Sequence, residues 1–499
     1  SRRTPGAHAQ NRHDRRTPGE TEQRFEFVFN VPHGNSQHEL GFDLPAARLW
    51  QPWERGEPCL YKLTVSLRAG EAAHSQANDS ILFDVSSTRF GVRRIERLRT
   101  DRGYPWRLAV NGQPLFLRGA NWVPEDALWG RARRGHYQAL LTQAREAGVN
   151  FLRVWGGGGR EKRAFYDLCD ELGLLVWQEF PIACVFLDHL PRTERFRRLL
   201  HQESTGIVQA LRNHPSLFLW CGGNEFSPRR NRQTVSTLRQ VVAAEDGLRP
   251  FVAASPGPGD AHNWQVWHGL APLAAYRDER AAFVSEFGLQ AVPNVDSLRR
   301  FLSEVDLWPP GPAWQQHNAD LEKLHRYAQW FGGGDITTNT TTNGRTNVET
   351  NAQATDEPTM NGSTGTSARV TPKTATDAAL ERFVQGTQRA QAAGLQILVE
   401  HMRRRAGSQG RRQTGGLAVW QWNDPWPAIS WSVIDAFGQP KLAYETLRRI
   451  YQPVLVSLEY PLRAYRPNDQ LCGTLWVVND RLEALRLSLI HISEPTRPY

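Results

Sequence analysis

The chain has 499 residues, of which 40% are hydrophobic and 22% charged, so it exceeds one ordinary domain and can bury a large core. No apolar run reaches the ~18 residues that a membrane-crossing helix needs, so no membrane span is expected. The net charge of +9 comes from arginines spread along expected helices and the N-terminal tail, with no accompanying nucleic-acid motif, and a nucleic-acid partner is not expected.

Residues 1–24 are polar, with Arg, Pro and Gly, and read as a disordered tail. They lack the apolar centre of a secretory signal. From Phe25 the pattern alternates: Phe25, Phe27 and Phe29, then 60–67 and 81–85. Short alternating strands separated by turn residues predict a small β-sandwich over 25–94.

Beyond Arg94 strands alternate with helices. Strands are expected at 116–122, 149–155, 174–180, 217–225, 251–255, 264–269, 282–288 and 417–424. Helices are expected at 133–147, 161–172, 194–213, 232–246 and from about 377 to 405. This alternation predicts an α/β fold, a (β/α)8 TIM barrel over 95–452 closed by right-handed crossovers. The Thr/Asn-rich stretch 332–378 carries few large apolar residues and reads as a disordered surface insert. Strand-like alternation returns over 453–487 as the start of a C-terminal β-sandwich that is cut short. Residues 488–499 break the pattern and read as a non-native tail or a frayed terminus.

The chemistry gathers at strand tips. Leu217–Phe226, LFLWCGGNEF, is a buried strand that turns on two glycines and delivers Asn224 and Glu225. Ala282–Gly288, AFVSEFG, delivers Glu286 in the same way. Carboxylates on the C-terminal tips of two barrel strands, each among aromatics, suit paired acid–base and nucleophilic chemistry on a sugar. Trp155, Trp264, Trp267, Trp420 and Trp422 are candidates to wall that sugar, with Trp420 and Trp422 expected to point the same way along one strand. Arg153 can steady a catalytic carboxylate or form a structural ion pair. His262 is either a substrate contact or a surface group. Asn423 and Asp424 either contact sugar hydroxyls or shape the turn into Pro425.

Five cysteines, widely spaced and odd in number, suggest neither a disulfide framework nor a zinc site; Cys169, Cys184 and Cys221 read as core residues. No metal or other cofactor is expected. The compartment stays open, lysosomal or secreted if the source is eukaryotic, the only setting in which the N-x-S/T triplets at Asn78, Asn339 and Asn361 would matter.

Six motifs, RVWGGG, DLCDELGLLVWQEF, WCGGNE, GDAHNWQVWHG, SEFGLQAVP and VWQWNDPWPAISWSVIDAFGQPK, together resemble a β-mannosidase of glycoside hydrolase family 2 over about Leu49 to Val478. The resemblance implies a retaining, exo-acting enzyme with Glu225 as acid/base and Glu286 as nucleophile. It also implies Asn224 on the sugar 2-hydroxyl and a β-mannoside oligosaccharide or glycoprotein glycan as substrate. The flanking sandwiches would be immunoglobulin-like. A further sugar-binding-type sandwich would come first, and nothing ahead of Phe25 is patterned to form it. The glucosaminidase, galactosidase and glucuronidase branches of the same family, and a non-catalytic carbohydrate-binding barrel, are the alternatives.

Overall fold

The computed structural model describes residues 10–11, 15–17, 20–29, 31–69, 81–332, 375–407, 412–463 and 465–486. Apart from its two ends, the insert expected over 332–378 lies outside these, as does the tail 488–499.

Eight parallel strands curl into a barrel. They are β1 (Leu117–Trp122), β2 (Phe151–Val154), β3 (Leu175–Glu179), β4 (Leu217–Cys221), β5 (Phe251–Val252), β6 (Asp260–Asn263), β7 (Phe283–Phe287) and β8 (Gly416–Val419). Their hydrogen-bonded order is β5-β4-β3-β2-β1-β8-β7-β6, so β5 and β6 face each other across the seam. The Ser255 hydroxyl just beyond β5 spans that seam, reaching Asp260 Oδ2 on β6 at 3.1 Å. Inside, Phe151, Trp177, Leu219 and Phe283 pack with Trp106, which enters from below and stacks on Trp177 and Phe283 at 5.5 and 4.9 Å between ring centroids. Gly119 makes room for this layer: a Cβ there would lie 2.0 Å from the Phe151 ring.

Around the barrel run α1 (Arg134–Glu146), α2 (Arg163–Leu172), α3 (Glu194–Leu211), α4 (Arg232–Glu245), α5 (Leu321–Trp330), α6 (Ala375–Arg404) and α7 (Leu442–Ile450). Their apolar stripes (Tyr137, Leu141 and Ala144 on α1, for example) meet the outward residues of the strands, Leu152, Val176 and Trp220 among them, in one continuous core. Local chemistry sets the ends. Thr193 caps α3 by accepting from the Phe196 N–H at 3.2 Å, and α2 stops at Gly173 with φ +72°.

Two expected strands are displaced. The sixth is Asp260–Asn263, not 264–269. There the chain turns, with the His268 N–H donating to the Trp264 carbonyl at 2.9 Å, and its apolar pattern serves to seat Val266 and Trp267 in the outer core. The eighth ends at Val419, before the tryptophans expected to alternate along it.

The flanks also depart from expectation. Where a tail was expected, Gln10–Asn11 pairs with Phe25–Glu26 and Arg15–Thr17 pairs with Glu20–Glu22. The region 25–94 contributes one long hairpin, Tyr61–Ala69 with Ile81–Phe90; Val65, Leu67, Leu82, Phe83 and Val85 on it are exposed, so among the described residues no second sheet packs over it. A single hairpin, Val454–Glu459 with Thr474–Asn479, represents the C-terminal sandwich. It is tied to the barrel floor by buried charges. Arg118 on β1 pairs with Glu54 and, at 2.8 Å, with Asp480, which also takes Arg403 of α6 at 2.8 Å.

Candidate active site

The tips of β1, β2, β3, β4, β6 and β7 converge on Arg153. This residue is fully buried at the end of β2, where an unpaired guanidinium could not persist. Its Nε donates to Glu179 Oε1 at 2.9 Å, and Nη1 donates to Glu286 Oε1 and Asn121 Oδ1 at 2.6 Å each. Nη2 donates to Asn224 Oδ1 at 2.6 Å. Glu179 is held from its other side by the Gly156 N–H at 2.8 Å. One rigid cation thus orients four side chains from four strand ends.

Glu286 is nearly buried; Glu225 keeps 39% of its side chain exposed toward the mouth. Gly223, at φ +140°, turns the chain so tightly that a Cβ would meet the Ile182 carbonyl oxygen at 2.3 Å, and Glu225 itself has φ +47°. A non-glycine residue held in that region is a strained position, of the kind found where side-chain aim matters. A register shift between Ala261 and His262 in the β6–β7 pair sets His262 opposite Glu286. His262 Nδ1 lies 2.8 Å from Glu225 Oε1 and 3.4 Å from Glu286 Oε2, and ligand atoms of all three lie within 4.8 Å of one another. This trio, and the Asp167–Asp170–His214 group, are the clusters among the described residues close enough to share an ion.

The electrostatics split the carboxylates. The hydrogen bond from His262 holds Glu225 below the usual carboxylate range. Burial pushes Glu286 up to about 8, against the opposing pull of Arg153. Burial likewise pushes His262 down to about 4, so the imidazole is neutral. This order of proton affinities places the proton shared by the pair on Glu286 at neutral pH.

The aromatic candidates divide. Trp155, Trp420 and Trp264 form an edge-to-face chain, with centroids 5.3 and 6.4 Å apart, that continues to Trp431. Trp155, Trp420 and Trp431 border a cavity of about 520 Å³ together with Asp424. Trp267 backs this chain from the core: it is buried, stacked on Tyr327 at 6.0 Å and edge-to-face with Trp431 at 5.6 Å. Trp422 is buried facing α1, its Nε1 donating to the Leu140 carbonyl at 3.1 Å. It points away from Trp420 because the strand has already ended. Asn423 is also turned inward, donating to the Val123 and Pro124 carbonyls at 3.1 Å each. Asp424 accepts from the Ser430 and Ser432 hydroxyls at 2.6 Å each.

Sequence reasoning passed over Asn121, Glu179, Cys184, Ser255 and Asp260. Asn121 and Glu179 were legible as polar residues on apolar strand tips, the signal that singled out Glu225. Cys184, read as core, is exposed, with Sγ 3.5 Å from Glu225 Oε2.

The family model described as "Glycosyl hydrolases family 2, TIM barrel domain" matches residues 106–255. Beta-mannosidase B of Thermothelomyces thermophilus is 30% identical over 462 residues, 84% of this chain and 48% of the relative. The protein of the same name from Neosartorya fischeri is 27% identical over 91% of this chain and 52% of its own length. The chain thus spans about half the length of the curated relatives it matches. Among solved structures, the beta-D-mannosidase of Dictyoglomus thermophilum superposes with a TM-score of 0.68 at 27% identity, covering 92% of this chain and 56% of that one. The exo-chitosanase of Amycolatopsis orientalis, at 20% identity and TM-score 0.60, covers 88% of this chain and 46% of its own and shares the fold. With its barrel, its strand-tip carboxylates and these relatives, the chain is similar to members of glycosyl hydrolase family 2, whose barrel-domain model matches residues 106–255.

Proposed function

We propose that this chain carries the catalytic barrel of a retaining, exo-acting hydrolase that releases terminal non-reducing β-D-mannose from oligosaccharides or glycoprotein glycans. One observation carries the reading: Glu225 and Glu286 stand on the tips of β4 and β7 within 4.8 Å through their nearest oxygens, as the retaining mechanism needs. The names of the relatives support mannose as the sugar.

In the first step the Glu286 carboxylate attacks the anomeric carbon, the bond to the departing oxygen breaks, and Glu225 gives that oxygen its proton. In the second, the Glu225 carboxylate takes a proton from water, the water oxygen attacks the anomeric carbon, and the ester bond to Glu286 breaks. The exposed side of Glu225 faces the leaving group and water; the buried Glu286 faces the sugar ring. The proton that burial draws to Glu286 must reach Glu225 in the substrate complex. There the contact with Arg153 favours charge on Glu286. Asn224, fixed by Arg153, is placed for the 2-hydroxyl, and Trp155, Trp420 and Asp424 wall the ring.

A panel of 4-nitrophenyl β-glycosides tests the assignment. The mannoside should be cleaved with the highest kcat/KM and release β-mannose first. A glucosaminide, galactoside or glucuronide cleaved faster would move the activity to a sister branch, and cleavage of none would leave only carbohydrate binding.

A further inference from the structure

We propose that His262 is a positioning residue whose single N–H follows the negative charge between Glu225 and Glu286 through the reaction cycle; this rests on the two-carboxylate reading above. Among the described residues the imidazole is the one side chain that reaches both carboxylates, at 2.8 and 3.4 Å from the same Nδ1. Its other nitrogen faces inward, with Nε2 3.1 Å from Ser255 Oγ.

The surrounding hydrogen bonds assign the tautomer. A carboxylate oxygen only accepts, so the 2.8 Å contact of Glu225 Oε1 with the ring puts the imidazole hydrogen on Nδ1. The neutral ring then presents Nε2 as an acceptor to the Ser255 hydroxyl, which also reaches Asp260 Oδ2 at 3.1 Å and Ser285 Oγ at 2.9 Å, and its single N–H lies between the carboxylates. The titratable groups around the imidazole are Glu225 from β4, Glu286 from β7, Asp260 on its own strand, and Arg153 from β2; Cys184 reaches Glu225 from the far side.

The consequence is a division of labour over time. In the substrate complex Glu225 carries the proton and Glu286 the charge, so the N–H turns toward Glu286. In the glycosyl-enzyme Glu286 is a neutral ester and Glu225 must be the base, so the N–H passes wholly to Glu225, already its nearer partner. The hydrogen bond is strongest where Glu225 is ionised, and losing it raises the Glu225 proton affinity when a base is needed. Hydrolysis of the intermediate should therefore suffer more than its formation, by about ten- to a hundredfold, the range for a hydrogen bond to a charged group.

The experiment combines kinetics with a direct reading of the ring. With 2,4-dinitrophenyl β-mannoside, the His262→Ala chain should show a burst of phenolate followed by slow turnover, and its acid limb of kcat should move to higher pH. His262→Asn, whose amide can place an N–H near the position of Nδ1, should restore both. Separately, 15N shifts of the His262 ring in the unmodified protein should report hydrogen on Nδ1. Hydrogen on Nε2 overturns the inference whatever the activity. So does a His262→Ala chain that slows both steps equally with no shift of the acid limb. If no aryl β-glycoside is turned over by the unmodified chain, the functional reading fails, and the ring measurement still decides the tautomer.

Discussion

Glu286 accepts a 2.6 Å hydrogen bond from Arg153 and is nevertheless pushed up to about 8, because the same burial that makes the contact firm strips the carboxylate of water. Arg153 must also serve Glu179, so one cation stands between two carboxylates. The site is built for charge in transit, at a cost to the resting fold.

That cost has a sign. A carboxyl group raised in the folded state binds its proton more tightly there than in the unfolded chain, so it adds stability below the unfolded value near 4.5 and loses it as pH rises toward about 8. Glu286→Gln removes this titration while keeping an acceptor for Arg153. Its Tm should therefore gain on the unmodified chain progressively between pH 5 and pH 8, read by thermal melts across that window. A constant offset would show that Glu286 is not held protonated by the fold.

Arg153 is the reverse case. Arg153→Met leaves Glu179 and Glu286 buried together without a cation, and removing one partner of such a pair costs about 3–5 kcal/mol. Urea unfolding should show a loss of that size, smaller in Arg153→Met/Glu179→Gln because one stranded charge is gone. Equal losses would mean that the pair is not coupled through Arg153.

Cys184 offers a probe of the mouth. Its thiol is raised by burial and by the neighbouring Glu225, so it should react slowly at neutral pH. Cys184→Ser should retain turnover within a few-fold. A bulky methanethiosulfonate should block the unmodified chain and spare the variant. Equal sensitivity of both would place the inhibitory thiol elsewhere, at exposed Cys472 or half-buried Cys59.

The roles of the two carboxylates separate through rescue. Glu225→Ala should cripple mannosides with poor leaving groups, whereas dinitrophenyl mannoside should still form the ester. Azide filling the vacated space should attack that ester and give β-mannosyl azide. Glu286→Ala, lacking the ester, should give at most the α product, so inversion in Glu225→Ala would exchange the roles.

The sequence reading and the structure agree where the local pattern decides the outcome. LFLWC, FLRV and FVSEF are largely apolar runs, and each is a strand that carries its candidate site residue at or just beyond its C-terminal end. They part where tertiary packing overrides pattern. WQVWHG is as apolar as a strand but is a turn, because Trp267 is needed against Tyr327. Trp422 looked equivalent to Trp420 only if the strand went on past Val419. The role of His262 was illegible because it depends on a one-residue register shift against β7, which leaves no trace in composition or spacing.

The central claim is that Glu286 forms a covalent bond to the sugar while Glu225 manages the proton. Incubation with 2,4-dinitrophenyl 2-deoxy-2-fluoro-β-mannoside, followed by proteolysis and peptide mass mapping, tests it most directly. A single fluoromannosyl adduct on Glu286 is the predicted result. An adduct on Glu225 or another side chain, or turnover of unsubstituted mannoside with inversion and no adduct, would contradict it.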